Sequence, residues 1–402
     1  MLSAIIVTMF SFYNNRTYNT FAFSMLGLKN AFIIVVVNDP ITHWCDYAIQ
    51  TIHILSKNNQ TFVYCSGDCV TWKDLFVRRP ILIEKKWGAI FFHPFFIIPG
   101  QRNTHIKGLN YRINAILVHL WSMIFVRNKQ KIFWFFDSFY ISPIIKSFSS
   151  FISVYDCVDY YLDMSESIFR QERRLLSQAT YVFANSYTLA RQLVSYRKDV
   201  TVVPLGFAVE LFKKCRLSPV APHTFTVGFV GGITSRIDFS LLIRVAKQCQ
   251  NILFVFYGEF DKSMHLQDAT CPPDCKKFFS LPNVFWKGYI PKTGMPDCIN
   301  AFDVCCIPYQ VTDPFNKYCF PMKVMEYFYV GKPVLSTPIE ELERYPELVR
   351  IGRTASEWER HIRTLLLTSW PVRLQKEQKK KAEENSWEIK LRKMMDIIVQ
   401  KN

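Results

Sequence analysis

Nowhere does this 402-residue chain run apolar for the roughly 20 consecutive residues that a bilayer crossing requires. Its longest clean run, AFIIVVV from Ala31 to Val37, has the length of one buried strand, and GAIFFHPFFIIPG is broken by His93 and Pro94. The opening MLSAIIVTMFSFY lacks both a basic start and a small-residue cleavage site, so it is not read as a signal peptide, and the expected location is the cytoplasm. Twelve cysteines are too sparse in a chain this long for a disulfide scaffold, and several, such as Cys305 and Cys306, sit inside strand patterns as reduced thiols. Cys65 with Cys69 and Cys271 with Cys275 have metal-ligand spacing, but neither pair has the further His or Cys partners of a structural zinc site, so no metal is expected.

Acidic residues are also short: 33 Asp and Glu against 49 Lys and Arg leave a formal charge of +16. Such a surplus attracts nucleic acid, an acidic membrane surface or phosphorylated ligands. Neither zinc-finger spacing nor a ribonucleoprotein aromatic signature is present, and a nucleic-acid binder would rest on charge alone. The mixed run KEQKKKAEE, Lys376 to Glu384, reads as a solvated helix face. The segment from Tyr111 to Lys131 sets Trp121, Ile124 and Phe125 beside Arg112, Arg127, Lys129 and Lys131. Two readings of it stay open: a helix lying on an anionic membrane, or a buried helix with a charged end.

Half the residues are hydrophobic and a fifth charged, the balance of a folded protein, and the length points to two domains. Residues 1–30 give weak signals and are left unassigned. Beyond them IIVVV, TFVYC, KIFWFFD, FISVYDCVD, TYVFANS and VTVVPLG read as strands interleaved with helical patterns such as SIFRQERRLLSQA. LSPVAPHT, residues 217–224, reads as a linker. The alternation then restarts with TFTVGFVGG, ILFVFYG, NVFWKG, VCCIPY and PVLST as strands. The expected architecture is α/β, two doubly wound Rossmann-like domains facing across a cleft, over 1–216 and 225–383. A last helix in 384–402, with Trp387, Leu391, Met394 and Ile398 at helical spacing, is expected to bury that stripe and is able to cross back to the first domain.

The most informative segment is FPMKVMEYFYVGKPVLST, Phe320 to Thr337. Lys323 and Glu326 share one face of a short helix that Gly331 and Pro333 end. A cation for phosphate beside a carboxylate for a ribose diol is what a nucleotide-sugar site needs; two solvated charges on an ordinary amphipathic helix is the competing reading. Gly231 and Gly232 follow a strand and precede a helical pattern, where backbone amides and a helix N-terminus can meet a diphosphate, with Arg236 just beyond. In the first half, Asp156 and Asp159 of YDCVDYYLD fall at a strand end, where a carboxylate can take a proton from an acceptor hydroxyl or simply cap a helix. His43, after the first strand, is placed on the acceptor side.

The ordered series VGFVGGITSRIDFSLL, LFVFYGEF, NVFWKGYIP, FDVCCIPYQ and FPMKVMEYFYVGKPVLST resembles the group 1 glycosyltransferases of the GT-B fold, as do VYDCVDYY, YVFANSYTLARQL and VTVVPLGFAVELF before it. The resemblance extends over residues 31–400. It implies a basic residue in the Arg236 loop and Lys323 on the donor phosphates, with Glu326 on the ribose and Tyr289 and Tyr309 counted with the donor site. Similarity to bacterial polysaccharide glucuronosyltransferase-like enzymes implies Asp159 as the base. One departure stands out: many retaining members carry a first glutamate eight residues before the second, where this chain has Tyr318, with Asp313 nearby but off the spacing. No DxD motif is present, and the cations stand in for a metal, so metal independence and no cofactor are expected. The expectation is a glycosyltransferase acting from a UDP- or GDP-sugar on a glycan or lipid-linked acceptor in polysaccharide or glycoconjugate synthesis, cytoplasmic or peripheral at the inner face of a membrane, with no nucleic acid as partner. A donor-binding module without catalysis and a nucleotide-sugar epimerase are the alternatives.

Overall fold

In a computed structural model, the described residues are 30–38, 46–77, 81–100, 102–139, 141–214, 224–261, 264 and 271–400. His43 and all of the expected linker but Thr224 lie outside them. The chain divides into two compact units, Met1–Val203 with Trp387–Asn402, and Pro204–Ser386. The division falls ahead of residue 217 because Phe207, Val209 and Phe212 belong to the second unit's core.

The first unit holds an eight-stranded sheet ordered β3-β4-β2-β1-β5-β6-β7-β8. The strands are β1 (Phe32–Val37), β2 (Gln60–Cys65), β3 (Ile83–Lys86), β4 (Ala89–Phe92), β5 (Lys131–Phe135), β6 (Ile152–Cys157), β7 (Tyr181–Ala184) and β8 (Val200–Val202). All pairings are parallel except β3 with β4. Helices cover both faces of such a sheet, which is why β1 and β5 are near-continuous apolar runs rather than alternating ones. The β3–β4 hairpin was not legible as strand; it turns at Trp87 and Gly88, both with positive φ (52° and 79°), the backbone a two-residue hairpin of right-handed twist demands.

The second unit is a six-stranded, wholly parallel sheet, β11-β10-β9-β12-β13-β14. These are β9 (Thr226–Val230), β10 (Leu253–Tyr257), β11 (Val284–Trp286), β12 (Val304–Ile307), β13 (Val334–Ser336) and β14 (Val349–Ile351). Sequence order reverses direction between β9 and β12, the switch point beyond whose carboxyl ends ligands bind in doubly wound sheets.

The helix Trp387–Gln400 groups with the first unit. Trp387, Leu391, Met394 and Ile398 are all buried, as the helical spacing requires. Between them Lys390 also points inward, and its Nζ meets both carboxylate oxygens of Asp156 at 2.9 and 3.1 Å, with each side chain only 1% exposed.

Candidate active site

In the second unit the residues expected to hold a donor gather at the carboxyl edge of the sheet. The helix Lys323–Val330 begins there and is closed by Gly331 in the left-handed region, φ 76°. Its buried Tyr327 accepts a hydrogen bond at 3.1 Å from the Val230 amide, pinning the helix beside the end of β9. Lys323 Nζ consequently lies against Gly231: a Cβ at that glycine would sit 3.1 Å from both Cε and Nζ, and the φ of 143° already disfavours a side chain. The ammonium donates to the Tyr309 hydroxyl and stands 4.7 Å from the Phe229 ring centroid.

Arg236 reaches the same tyrosine from another element. Its guanidinium carbon is 4.5 Å from the Tyr309 ring centroid and 4.8 Å from that of Phe315, while Nε donates to Asn316 Oδ1 at 2.7 Å. The backbone fixes this approach, since Gln310 N donates to Arg236 O at 2.8 Å and Ile237 bridges to Tyr309. Tyr309 is itself held by Thr337, whose hydroxyl donates to its carbonyl at 2.7 Å. Two cations from separate segments thus converge on one aromatic post. Glu326, one turn along from Lys323, is half-buried. Tyr289 lies past β11 and is 56% exposed; the adjacent Gly288 carbonyl accepts from Gly258 N at 2.8 Å, which places Tyr289 on the same edge.

Two local expectations need correcting. The glycine pair does not open directly into a helix: the next helix is Phe239–Gln248, and its N-terminus is already capped by Asp238, which accepts from Leu241 N at 2.8 Å. Nor are all the loop amides on offer, because Gly231 N donates to Tyr257 O and Ile233 N to Glu259 O, each at 2.9 Å. The Gly232 amide between them is the one not tied to those two carbonyls. Asp313 caps the short helix Pro314–Lys317, and the Lys317 ammonium lies 5.3 Å from the ring centroid of Tyr318.

In the first unit, Asp156 does not have the exposed strand-end position expected of it. It lies within β6, where the ion pair with Lys390 occupies both of its oxygens. Asp159, two residues beyond β6, is half-buried. The phenol of Tyr161 ionises well above its usual range, chiefly through burial and then through the negative charges of Asp159 and Asp137. Asp137 was missed, although FWFFD carries the signal of a buried strand ending in a carboxylate. It follows β5, accepts from Phe139 N at 2.8 Å, and ends a chain of hydrogen bonds in which Ser66 donates to Asn38 and Asn38 to Asp137. Among the described residues, no three His, Cys, Asp or Glu side chains are grouped as metal ligands.

Residues 224–366 match the family described as "Glycosyl transferases group 1". A putative teichuronic acid biosynthesis glycosyltransferase of Bacillus subtilis strain 168, TuaH, is 28% identical over 218 residues, 48% of this chain and 53% of that protein. The chain therefore spans about half the length of the curated relative it matches. Among solved structures, a sucrose-phosphate synthase of Thermosynechococcus elongatus superposes with a TM-score of 0.70 at 14% identity, covering 92% of this chain and 99% of that one. Anabaena HepE, solved with UDP and glucose, gives 0.67 at 12% identity, covering 93% and 100%. The two units have the GT-B fold of these structures, and the stretch that matches the group 1 model falls within the second.

Proposed function

We propose that this chain transfers a sugar from a UDP- or GDP-linked donor to a glycan or lipid-linked acceptor, without a metal. The convergence of Lys323 and Arg236 on Tyr309, beside the Gly231 turn and inside the span that matches the group 1 family, carries the reading. The complex of HepE with UDP and glucose, and the assignment of TuaH to teichuronic acid biosynthesis, support the donor class and a role in polysaccharide synthesis.

In the proposed reaction an acceptor hydroxyl attacks the anomeric carbon, its proton passes to Asp159, and the bond from that carbon to the diphosphate oxygen breaks. Negative charge grows on the departing diphosphate. Lys323, Arg236 and the Gly232 amide are preorganised to take up that charge, the largest electrostatic demand of the step. Glu326 would accept from the ribose hydroxyls, and the exposed ring of Tyr289 would cover the base. Asp137, whose charge like that of Asp159 raises the Tyr161 phenol, belongs to the acceptor side.

Tyr318 in place of a carboxylate favours one second reading, a module that binds donor without turnover. One assay decides between them. Purified protein should transfer or hydrolyse sugar from a UDP- or GDP-donor, in the presence of EDTA, and Glu326→Ala should abolish this with the fold intact; nucleotide binding with no turnover on any donor selects the second reading.

A further inference from the structure

The helix Thr104–Phe125 is apolar on two faces: it buries Tyr111, Ala115, Val118 and Trp121 in the first unit and exposes a second apolar stripe. Its buried face also carries amides: Asn110 exchanges two hydrogen bonds with the Ile98 backbone (2.9 and 2.8 Å) and Asn114 two with that of Phe95 (3.1 and 2.9 Å). Both asparagines thereby act as strand partners for the extended segment beside them, which satisfies their polar groups without water. The outward face is aliphatic too. Leu109, Ile116, Leu120, Met123 and Ile124 are between 46% and 56% exposed and follow the three-and-four spacing of a single stripe.

Charge marks what this stripe faces. From Thr104 to Lys131 there are five cations, Lys107, Arg112, Arg127, Lys129 and Lys131, and no aspartate or glutamate. Arg112 lies in the stripe and Arg127 just past its end, both exposed. Elsewhere in the same unit Trp72 and Phe76 are also exposed, at 39% and 87%. Among the described residues no helix is long and apolar enough to cross a membrane. An exposed aliphatic face on a segment that carries cations and no acids suits a surface that is apolar below and anionic at its rim.

We infer that the outward face of Thr104–Phe125 seats the first unit on an anionic phospholipid bilayer. The inference deepens the lipid-linked half of the acceptor reading, and its test is independent of donor chemistry. The full chain is sedimented with phosphatidylcholine vesicles with and without phosphatidylglycerol. It should bind only the anionic vesicles and release as salt rises. Ile116→Glu/Leu120→Glu should weaken binding at least tenfold, and Arg112→Gln/Arg127→Gln by roughly fivefold for each cation removed. Circular dichroism and the thermal shift with UDP and GDP, which report on the fold and the second unit, should be unchanged in all variants. No binding, equal binding to both vesicle types, or undiminished binding by the variants overturns the inference, as does a wild-type dimer that Leu120→Glu dissociates, which would make a second copy the occupant. Vesicle binding without any nucleotide response would sink the donor reading and leave this one standing.

Discussion

Replacing Lys390 by methionine keeps most of its volume and removes its charge, leaving the Asp156 carboxylate buried with no cation. Both side chains are 1% exposed and the Nζ contacts both oxygens, so neither charge recovers solvation from water. Breaking one side of such a pair costs about 3–5 kcal/mol, far above the value of an exposed pair. For a unit of this size that corresponds to roughly 6–20 °C in melting temperature. Asp156→Leu/Lys390→Met, which removes both charges, should recover most of the loss, because apolar replacement of a whole buried pair is often neutral. Two units need not unfold together, so the suitable assay is urea unfolding followed by hydrogen exchange resolved to each unit's peptides. A loss under about 1 kcal/mol for Lys390→Met would refute the argument, since it would mean that water reaches Asp156.

Gly258→Ala should disrupt donor binding through the backbone alone, because the new Cβ would fall 1.9 Å from the Gly231 carbonyl oxygen and must displace the loop that carries Gly232; UDP thermal shifts would report the loss, and an unchanged shift would contradict it. Tyr309→Ala removes the post shared by Lys323 and Arg236 and should weaken nucleotide binding by about tenfold or more by calorimetry, as expected when charge-assisted contacts lose their positioning. Buried Glu172 accepts from the Tyr155 hydroxyl, and burial pushes its carboxyl up to about 7. The proton is held more tightly in the folded state, so this group's contribution is complete below about pH 4.5 and is lost as pH rises towards 7, a change on the order of 3 kcal/mol. Glu172→Gln should flatten that part of the pH–stability curve, and an identical slope in both proteins would refute it.

Much of the architecture was legible because parallel strands buried on both faces must be written as apolar runs: IIVVV, KIFWFF and VCCI have few other uses. The β3–β4 hairpin escaped because IEKK and AIFF are short and their turn, Trp-Gly, lacks the usual Asn-Gly signature. The Lys323 helix was readable from its own spacing and its Gly-Lys-Pro stop. Its neighbours were not: that Arg236 and Lys323 meet at Tyr309 depends on segments brought together only by the sheet order. Asp156 and Asp159 look equivalent in YDCVDYYLD, and only the distant Lys390 separates them by neutralising one inside the fold. The helix Thr104–Phe125 shows the same limit, since its hydrophobic residues serve both a core (Tyr111, Ala115, Val118, Trp121) and an exposed stripe (Leu109, Ile116, Leu120, Met123, Ile124), a division that composition alone does not show.

The proposed transfer requires a diphosphate held by Lys323 and Arg236. Titration calorimetry of UDP and of GDP into the wild-type chain and into Lys323→Ala should show one nucleotide binding the wild type, with the variant weaker by about ten- to a hundredfold, the value of a lost charge-assisted contact. Equal affinity in the two proteins, or no binding of either nucleotide to the wild type, would contradict it.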